Sequence, residues 1–274
     1  MGPLTQAKER LDMDPNKAAR LVEQANTVHG WFSREAAMLF ALLDEVQQEN
    51  AVTGPLFEIG VHHGKSACLI GAMAAPGREH LGVCDVFGGQ ESNASGSGSG
   101  DRDVFERNMR RLVPGTLDVR VFGKLSSALR AGEIGTGYRW FHIDGGHNPN
   151  EALGDLRLAA EVLGETGLIV VDDPFRPEWP GVTEALIRFL DQDTRFAPVV
   201  VGFNKLVLAH RLHSALYCAA IDDRARRAAY GIGPPWLLKE LPFLRDSLRI
   251  LYLPSHYRPP PDGLLARIAK VFRP

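Results

Sequence analysis

The segment FEIGVHHGKSA, residues 57–67, decides the fold of this chain and fits two different patterns. From Gly60 onward it approaches a phosphate-binding nucleotide loop, because Gly-Lys-Ser follows at the start of a predicted helix. That loop requires four residues between its glycines, whereas residues 61–63 provide three. A shorter loop cannot direct the same ring of backbone N–H groups around a phosphate. A P-loop-like NTPase is therefore the weaker alternative.

The second pattern runs from the acidic residue Glu58 through Gly60 to Gly64, with three residues between the two glycines. Such a turn suits S-adenosylmethionine (SAM), which has no pyrophosphate but needs a tight turn beside its amino-acid moiety and an acid for its ribose hydroxyls. Asp85 ends the next predicted strand, where a carboxylate can accept hydrogen bonds from two ribose hydroxyls. The predicted cofactor-binding residues are Glu58, Gly60, His62, Gly64, Ser66, Asp85 and Ser126.

Strand and helix patterns alternate five times after residue 55, which implies a parallel sheet covered on both faces. Residues 196–211 then read as two strands joined by a tight Phe203-Asn204 turn. We predict an α/β fold with a doubly wound, mostly parallel seven-stranded sheet that ends in an antiparallel hairpin. The predicted domains are an N-terminal helical segment (1–54), a Rossmann-like SAM-binding catalytic domain (55–213) and a C-terminal extension (214–274).

Four stretches carry a resemblance to a known family: FEIGVHHGKSA, GVCDVF, FHIDGGHNPNEALGDL and LIVVDDPF. From about residue 30 to residue 211 the chain resembles class I SAM-dependent methyltransferases of the methyltransferase 24 type. These are similar to the macrocin and mycinamicin sugar O-methyltransferases, and more distantly to the catechol and caffeoyl-CoA O-methyltransferases. The sequence departs from many of them at His62, where they have a glycine. The resemblance implies methyl transfer to a hydroxyl of a sugar, a sugar-bearing natural product or a phenol.

Asp144, Asp172 and Asp173 follow two predicted neighbouring strands, so we expect their carboxylates to meet at one edge of the sheet. Three carboxylates repel one another unless a cation neutralises them, and oxygen ligands suit Mg²⁺ or Mn²⁺. In the cation-dependent relatives an Asp and an adjacent acidic or amide pair stand at these strand ends. We therefore predict a metal site at these residues. The alternative is that the three side chains only cap the turns that follow.

His147 stands three residues after Asp144, where the resemblance implies the position of the catalytic lysine of the catechol-type enzymes. A histidine titrates near neutral pH and suits a general base. We predict His147 and Asp144 as catalytic residues, with a metal ligand or a helix N-cap as the alternative role of His147. The Gly/Ser-rich residues 88–103 are expected to form a lid, with disorder as the alternative. Trp31 and Phe32 are expected to line the site or to join the core.

Composition limits the partners. The net charge of −2 lacks the excess of positive charge that non-specific nucleic-acid binding requires. No uncharged apolar run is long enough to span a bilayer. Residues 1–20 lack the apolar core of a signal peptide and three scattered cysteines indicate buried thiols, so we expect a cytoplasmic protein.

The C-terminal extension has a composition of its own. Residues 214–274 carry ten Lys/Arg against five Asp/Glu, and residues 262–272 show helical spacing of apolar side chains. We expect this basic, proline-containing extension to pack on its own domain or to form a homo-oligomer contact. A catalytically inactive SAM-fold binding protein that docks through this extension is a further alternative.

Overall fold

The computed structural model describes residues 13–89, 91, 96, 98–255 and 257. In this part of the chain nine helices surround one sheet. The helices are α1 (Pro15–Ala25), α2 (Arg34–Glu49), α3 (Lys65–Met73), α4 (Arg102–Leu112), α5 (Ala131–Ile134), α6 (Pro149–Val162), α7 (Pro180–Gln192), α8 (Ser214–Asp222) and α9 (Arg224–Ala229). The strands are β1 (Leu56–Ile59), β2 (His80–Cys84), β3 (Asp118–Phe122), β4 (Tyr138–Ile143), β5 (Leu163–Asp172), β6 (Phe196–Gly202), β7 (Lys205–His210), β8 (Leu237–Phe243) and β9 (Asp246–Tyr252).

The strands pair in the order β3-β2-β1-β4-β5-β7-β6-β9-β8. The first five are parallel, and β7 runs antiparallel between β5 and β6. This arrangement confirms the predicted doubly wound sheet with a terminal antiparallel hairpin. The hairpin turns at Phe203 and Asn204, whose φ angles of 55° and 64° are those of a type I′ turn.

The C-terminal extension lengthens the expected seven-stranded sheet by two strands. β9 pairs in parallel with β6, with Val200 opposite Arg249, and β8 forms the outer edge as the partner of β9. The hydroxyl of Tyr217 in α8 donates a hydrogen bond to the carbonyl of Thr166, and Arg226 forms an ion pair of 2.6 Å with Glu49. Residues 214–252 thus pack on the sheet and on α2. The predicted helix at 262–272 lies outside the described residues.

Two hydrophobic clusters fill the two faces of the sheet. One joins α1, α2, α3 and α8 to the strands, and the other joins α6 and α7 to them. The hydroxyl of Ser33 caps α2 by accepting a hydrogen bond of 3.0 Å from the amide of Ala36. Among the described residues, no helix has both the length and the apolar content that crossing a membrane requires.

A buried ion network fixes the edge of the sheet opposite the carboxyl ends of the parallel strands. The guanidinium of Arg139 at the start of β4 donates to Asp44 at 2.8 Å, to Gln47 at 2.6 Å and to Glu79 at 3.0 Å. Both acids pair with one arginine, so neither carboxylate is buried without a cation. This network ties α2 and the turn before β2 to the start of β4.

Candidate active site

A cavity of about 460 Å³ opens at the carboxyl ends of β1, β2, β4 and β5. This is the edge at which doubly wound sheets bind their ligands. Its wall includes most of the residues that the sequence singled out. They are Trp31, Phe32, Gly60, His62, Ser66, Asp85, Ser126, Asp144, His147, Asp172 and Asp173.

The loop after β1 is a close-fitting cradle. Gly60 has a φ of 80°, and a Cβ placed there would lie 1.7 Å from the backbone oxygen of Asp144. Gly64 has a φ of 88°, and its Cβ would lie 2.9 Å from the ring of Phe105. Both positions therefore require glycine, for conformational and for steric reasons. The two glycines therefore hold the loop in a tight turn between β1 and α3.

The carboxylate of Asp85 holds this loop in place. Its Oδ2 accepts hydrogen bonds of 2.8 Å from the amides of Val61 and His62, and its Oδ1 accepts one of 2.6 Å from the amide of Phe87. A carboxylate has about four acceptor positions, so Asp85 retains capacity for a further donor. The predicted ribose acceptor lines the cavity and also positions the glycine loop.

Glu58 lies beneath the loop rather than on the cavity wall. Its buried Oε1 accepts a hydrogen bond from the hydroxyl of Ser66 and lies 2.8 Å from Nδ1 of His142. Glu58 therefore contacts the cavity only through Ser66, which lines it. Neither Glu58 nor Gly64 is part of the cavity wall. Five of the predicted cofactor residues line the cavity directly: Gly60, His62, Ser66, Asp85 and Ser126.

The three predicted metal carboxylates come together at the ends of β4 and β5, but they already have partners within the chain. The ammonium of Lys205 lies 2.5 Å from Oδ1 of Asp172. The side-chain amide of Asn204 donates to Asp172 at 3.1 Å and to Asp173 at 2.5 Å. Lys205 is fully buried at the start of β7, where the hairpin register places it opposite Asp172.

The ionisation of these groups follows from their surroundings. Burial, the charge of Asp172 and a hydrogen bond with that carboxyl raise the pKa of Asp144 well above its ordinary value, although Lys205 opposes the shift. Burial alone would lower the pKa of Lys205, but the charges of Asp172 and Asp144 raise it. Asp144 is therefore the acid most easily kept protonated at neutral pH, while Lys205 stays charged beside Asp172.

His147 is held by a carboxylate and by an aromatic ring. Its Nε2 lies 3.1 Å from Oδ2 of Asp173, and its ring stacks on Trp179 with the centroids 4.1 Å apart. Burial raises the pKa of Asp173, but hydrogen bonds from His147 and Asn204 outweigh it, so that the pKa lies below its ordinary value. Asp173 is thus ionised and orients the imidazole. The N-cap of α6 is Asn148, not His147.

Several residues of the site were not found from the sequence. Asn204 and Lys205 were read only as a turn and a strand, although a lysine that directly follows a hairpin turn beside an Asp-Asp strand end is a usable signal. Arg176 and Trp179 lie in the loop after β5 and line the cavity, and no local pattern marks them.

Comparisons with known proteins identify a methyltransferase domain in this chain. Residues 57–174 match the family Methyltransf_24, described as a methyltransferase domain. The structure of the O-methyltransferase NovP is similar, with a TM-score of 0.53 and 16% sequence identity over 65% of this chain and 79% of that chain. The SAH-bound Podospora anserina methyltransferase PaMTH1 aligns over 72% of this chain and 88% of its own, with 14% identity and a TM-score of 0.47. A search of curated proteins gave no match.

Proposed function

We propose, on the premise that residues 57–174 form a class I SAM-dependent methyltransferase domain of the Methyltransf_24 family, that this chain methylates a hydroxyl oxygen of a small molecule. The observation that carries the proposal is the pairing of His147 with the ionised Asp173 at the wall of the cavity. Transfer to oxygen requires a group that removes the hydroxyl proton, and an oriented imidazole is suited to that role.

The glycine loop and Asp85 support a site for SAM. A Cβ at Gly60 would clash with the backbone oxygen of Asp144, so the tight turn beside the cavity needs glycine. The carboxylate of Asp85, which holds this turn, has an acceptor position left for a ribose hydroxyl. When bound, SAM supplies an electrophilic methyl group on a sulfonium. The chain's own task is to align the acceptor oxygen with that methyl and to exclude water. The same cradle lacks the spacing of a phosphate loop, and the family match likewise disfavours the NTPase alternative.

The proton step is assigned to His147. With Nε2–H donated to Asp173, the neutral ring has Nδ1 as its proton acceptor. His147 would take the proton of the acceptor hydroxyl as that oxygen accepts the methyl group that bound SAM would supply. The charge of Asp173 stabilises the imidazolium that results. Asp173 thus acts as a positioning residue, in the same way as the acid of a catalytic triad.

The predicted divalent metal does not fit the carboxylates as they stand. Lys205 occupies Oδ1 of Asp172, Asn204 donates to both Asp172 and Asp173, and Arg176 contacts Asp173 at 3.4 Å. Burial and the charge of Asp172 raise the pKa of Asp144, which reduces the negative charge that a cation would have to neutralise. We therefore propose that Lys205 supplies the positive charge that a metal supplies in the cation-dependent relatives. No step of the mechanism proceeds through Mg²⁺ or Mn²⁺.

The acceptor class follows from the wall of the cavity near His147. Trp179 and the exposed Trp31 offer aromatic faces, and Arg176 adds a cation at the rim. Aromatic faces beside polar groups suit ring-shaped small molecules that carry hydroxyls. A sugar, a sugar-bearing natural product and a phenol all meet this description.

The test combines binding and turnover. Calorimetric titrations with SAM and with ATP in separate runs should show SAM binding alone. Methyl transfer from labelled SAM to a panel of sugar and phenolic hydroxyls should continue after exhaustive chelation with EDTA. His147→Asn should lower kcat by about 10²- to 10⁴-fold without changing the affinity for SAM.

Three results would contradict the proposal. ATP binding without SAM binding would favour the alternative that the chain is a P-loop-like NTPase. Activity that is lost with EDTA and restored by Mg²⁺ would show that a metal acts at Asp144, Asp172 and Asp173, as the sequence predicted. SAM binding without transfer to any hydroxyl acceptor would favour the inactive binding protein.

A further inference from the structure

Three histidines converge at the rim of the cavity, outside the carboxylate cluster. One ring nitrogen each from His29, His62 and His63 lies within 4.8 Å of the others. The rings of His62 and His63 are 3.8 Å apart between centroids, and His29 is 5.7 Å from each. Among the described residues, this is the group of histidine, cysteine and acidic side chains that converges closely enough to hold a metal ion.

The backbone brings these rings together at a conformational cost. His62 has a φ of 49°, which few non-glycine residues adopt. Neighbouring side chains in an extended segment point in opposite directions, whereas this left-handed turn places two imidazoles on the same side. Asp85 holds the amide of His62, and Asn108 donates to the carbonyl of His63 at 2.9 Å. The loop therefore presents both rings in a fixed position.

The ring nitrogens are in a state that favours metal binding. Nδ1 of His62 and Nδ1 of His63 are buried and have no hydrogen-bond partner among the described residues. A neutral imidazole with an unpaired nitrogen is a ligand for transition metals, and each such buried nitrogen is costly when left unpaired.

We infer that His29, His62 and His63 bind a transition metal ion of the zinc type at the rim of the cofactor cavity. Zinc–nitrogen bonds of about 2.0–2.1 Å place tetrahedral ligand nitrogens about 3.4 Å apart, so the site closes by a small rotation of the side chains. His29 is exposed on the segment between α1 and α2 and is the ligand able to move. Three imidazoles leave a fourth position for water.

The consequence is a tie between two parts of the chain. His29 belongs to the same segment as Trp31, which lines the cavity, and His62 belongs to the glycine loop. A metal shared by them would fix this segment against the loop and stiffen one wall of the cavity. The inference does not depend on the proposed methyl transfer, since it concerns binding of the metal alone.

The experiment uses the full chain without an affinity tag, stripped of metal with a chelator and titrated with ZnCl₂ in a calorimeter. We expect one Zn²⁺ per chain. His29→Ala should weaken binding by on the order of tenfold or more, since loss even of a group that supports a ligand costs 10- to 100-fold. His29 is exposed, so this variant should fold normally. His213→Ala, which removes a histidine at the opposite edge of the sheet, should bind like the wild type.

Two further measurements place the metal. Co²⁺ in place of Zn²⁺ should give the visible absorption of a tetrahedral nitrogen site in the wild type, and His63→Asn should abolish it. Asp173→Asn should leave Zn²⁺ affinity unchanged. Equal Zn²⁺ binding in the wild type and His29→Ala would overturn the inference, as would loss of binding in Asp173→Asn, which would place the ion at the carboxylates.

Discussion

The ammonium nitrogen of Lys205 lies 2.5 Å from Oδ1 of Asp172, and both groups are buried at the base of the cavity. The pair exists because the β5–β7 register sets the two residues directly opposite each other. A buried ion pair of this kind adds little to stability compared with a hydrophobic pair, but its disruption leaves a charge without a counter-ion. We propose that Lys205 takes the place of an external cation in the carboxylate cluster.

Lys205→Met tests this role. We expect the free energy of unfolding to fall by about 3–5 kcal/mol, because Asp172 loses its buried counter-ion. Mg²⁺ should then raise the melting temperature of the variant but not that of the wild type. Lys239→Met, at an exposed position on β8, serves as the control and should change neither quantity. The assignment would be contradicted if Lys205→Met had the stability of the wild type and Mg²⁺ did not change its melting temperature.

Asp85→Asn tests the cofactor cradle. The amide keeps one carbonyl oxygen for the loop but removes the charged acceptor for ribose hydroxyls, which should weaken SAM binding by about 1.5–3 kcal/mol. Calorimetric titration measures this directly, and Asp118→Asn, a substitution in an exposed ion pair with Arg120, should bind SAM normally. Unchanged SAM affinity in Asp85→Asn would mean that Asp85 only forms hydrogen bonds with the loop and does not bind the ribose hydroxyls.

The fold was predictable because its signals are local. The apolar strands, the glycine stop signals and the alternation of elements fix a parallel sheet, and the Phe203-Asn204 turn identifies the hairpin. The strand ends then place Asp85, Asp144, His147 and Asp172 at one edge, since the carboxyl ends of parallel strands share that edge. The structure places all four of these residues on the cavity wall.

What the sequence did not reveal depends on contacts between distant residues. Asp172 and Asp173 were read as ligands that lack a cation, because the charge of Lys205 enters the site only through strand register. The convergence of His29 with His62 depends on how the segment before α2 lies across the glycine loop. The strands β8 and β9 lie in a tail whose proline-rich composition suggested an extension and not a continuation of the sheet.

The packing of that extension can be tested at Leu251. Its side chain is buried in β9, and Gly202 of β6 lies against it, since a Cβ placed on that glycine would be 2.8 Å from Cβ of Leu251. Leu251→Ala should lower the free energy of unfolding by about 2–5 kcal/mol, as expected for a buried leucine. Leu253→Ala, at a position 37% exposed, is the matched control and should cost far less. Urea unfolding that shows equal effects would mean that the extension is not part of the cooperative unit. Size-exclusion chromatography of both variants would show whether the extension also carries the predicted homo-oligomer contact.

Asp155 of α6 gives the fold a pH dependence in the neutral range. Burial raises the pKa of this carboxyl to about 7, although a hydrogen bond from Ser126 opposes the shift, and its Oδ2 has no hydrogen-bond partner among the described residues. The folded state therefore holds a proton that the unfolded chain releases near pH 4. The stability that this proton contributes is complete below the unfolded pKa, falls as the pH rises, and is lost once the pH passes the folded value of about 7. Asp155→Asn keeps a partner for Ser126 but cannot ionise. Urea unfolding at pH 5 and pH 8 should show that the wild type loses about 3 kcal/mol relative to the variant over this interval. Parallel pH profiles for the two proteins would contradict this prediction, because they would mean that the pKa of Asp155 is not raised in the folded state.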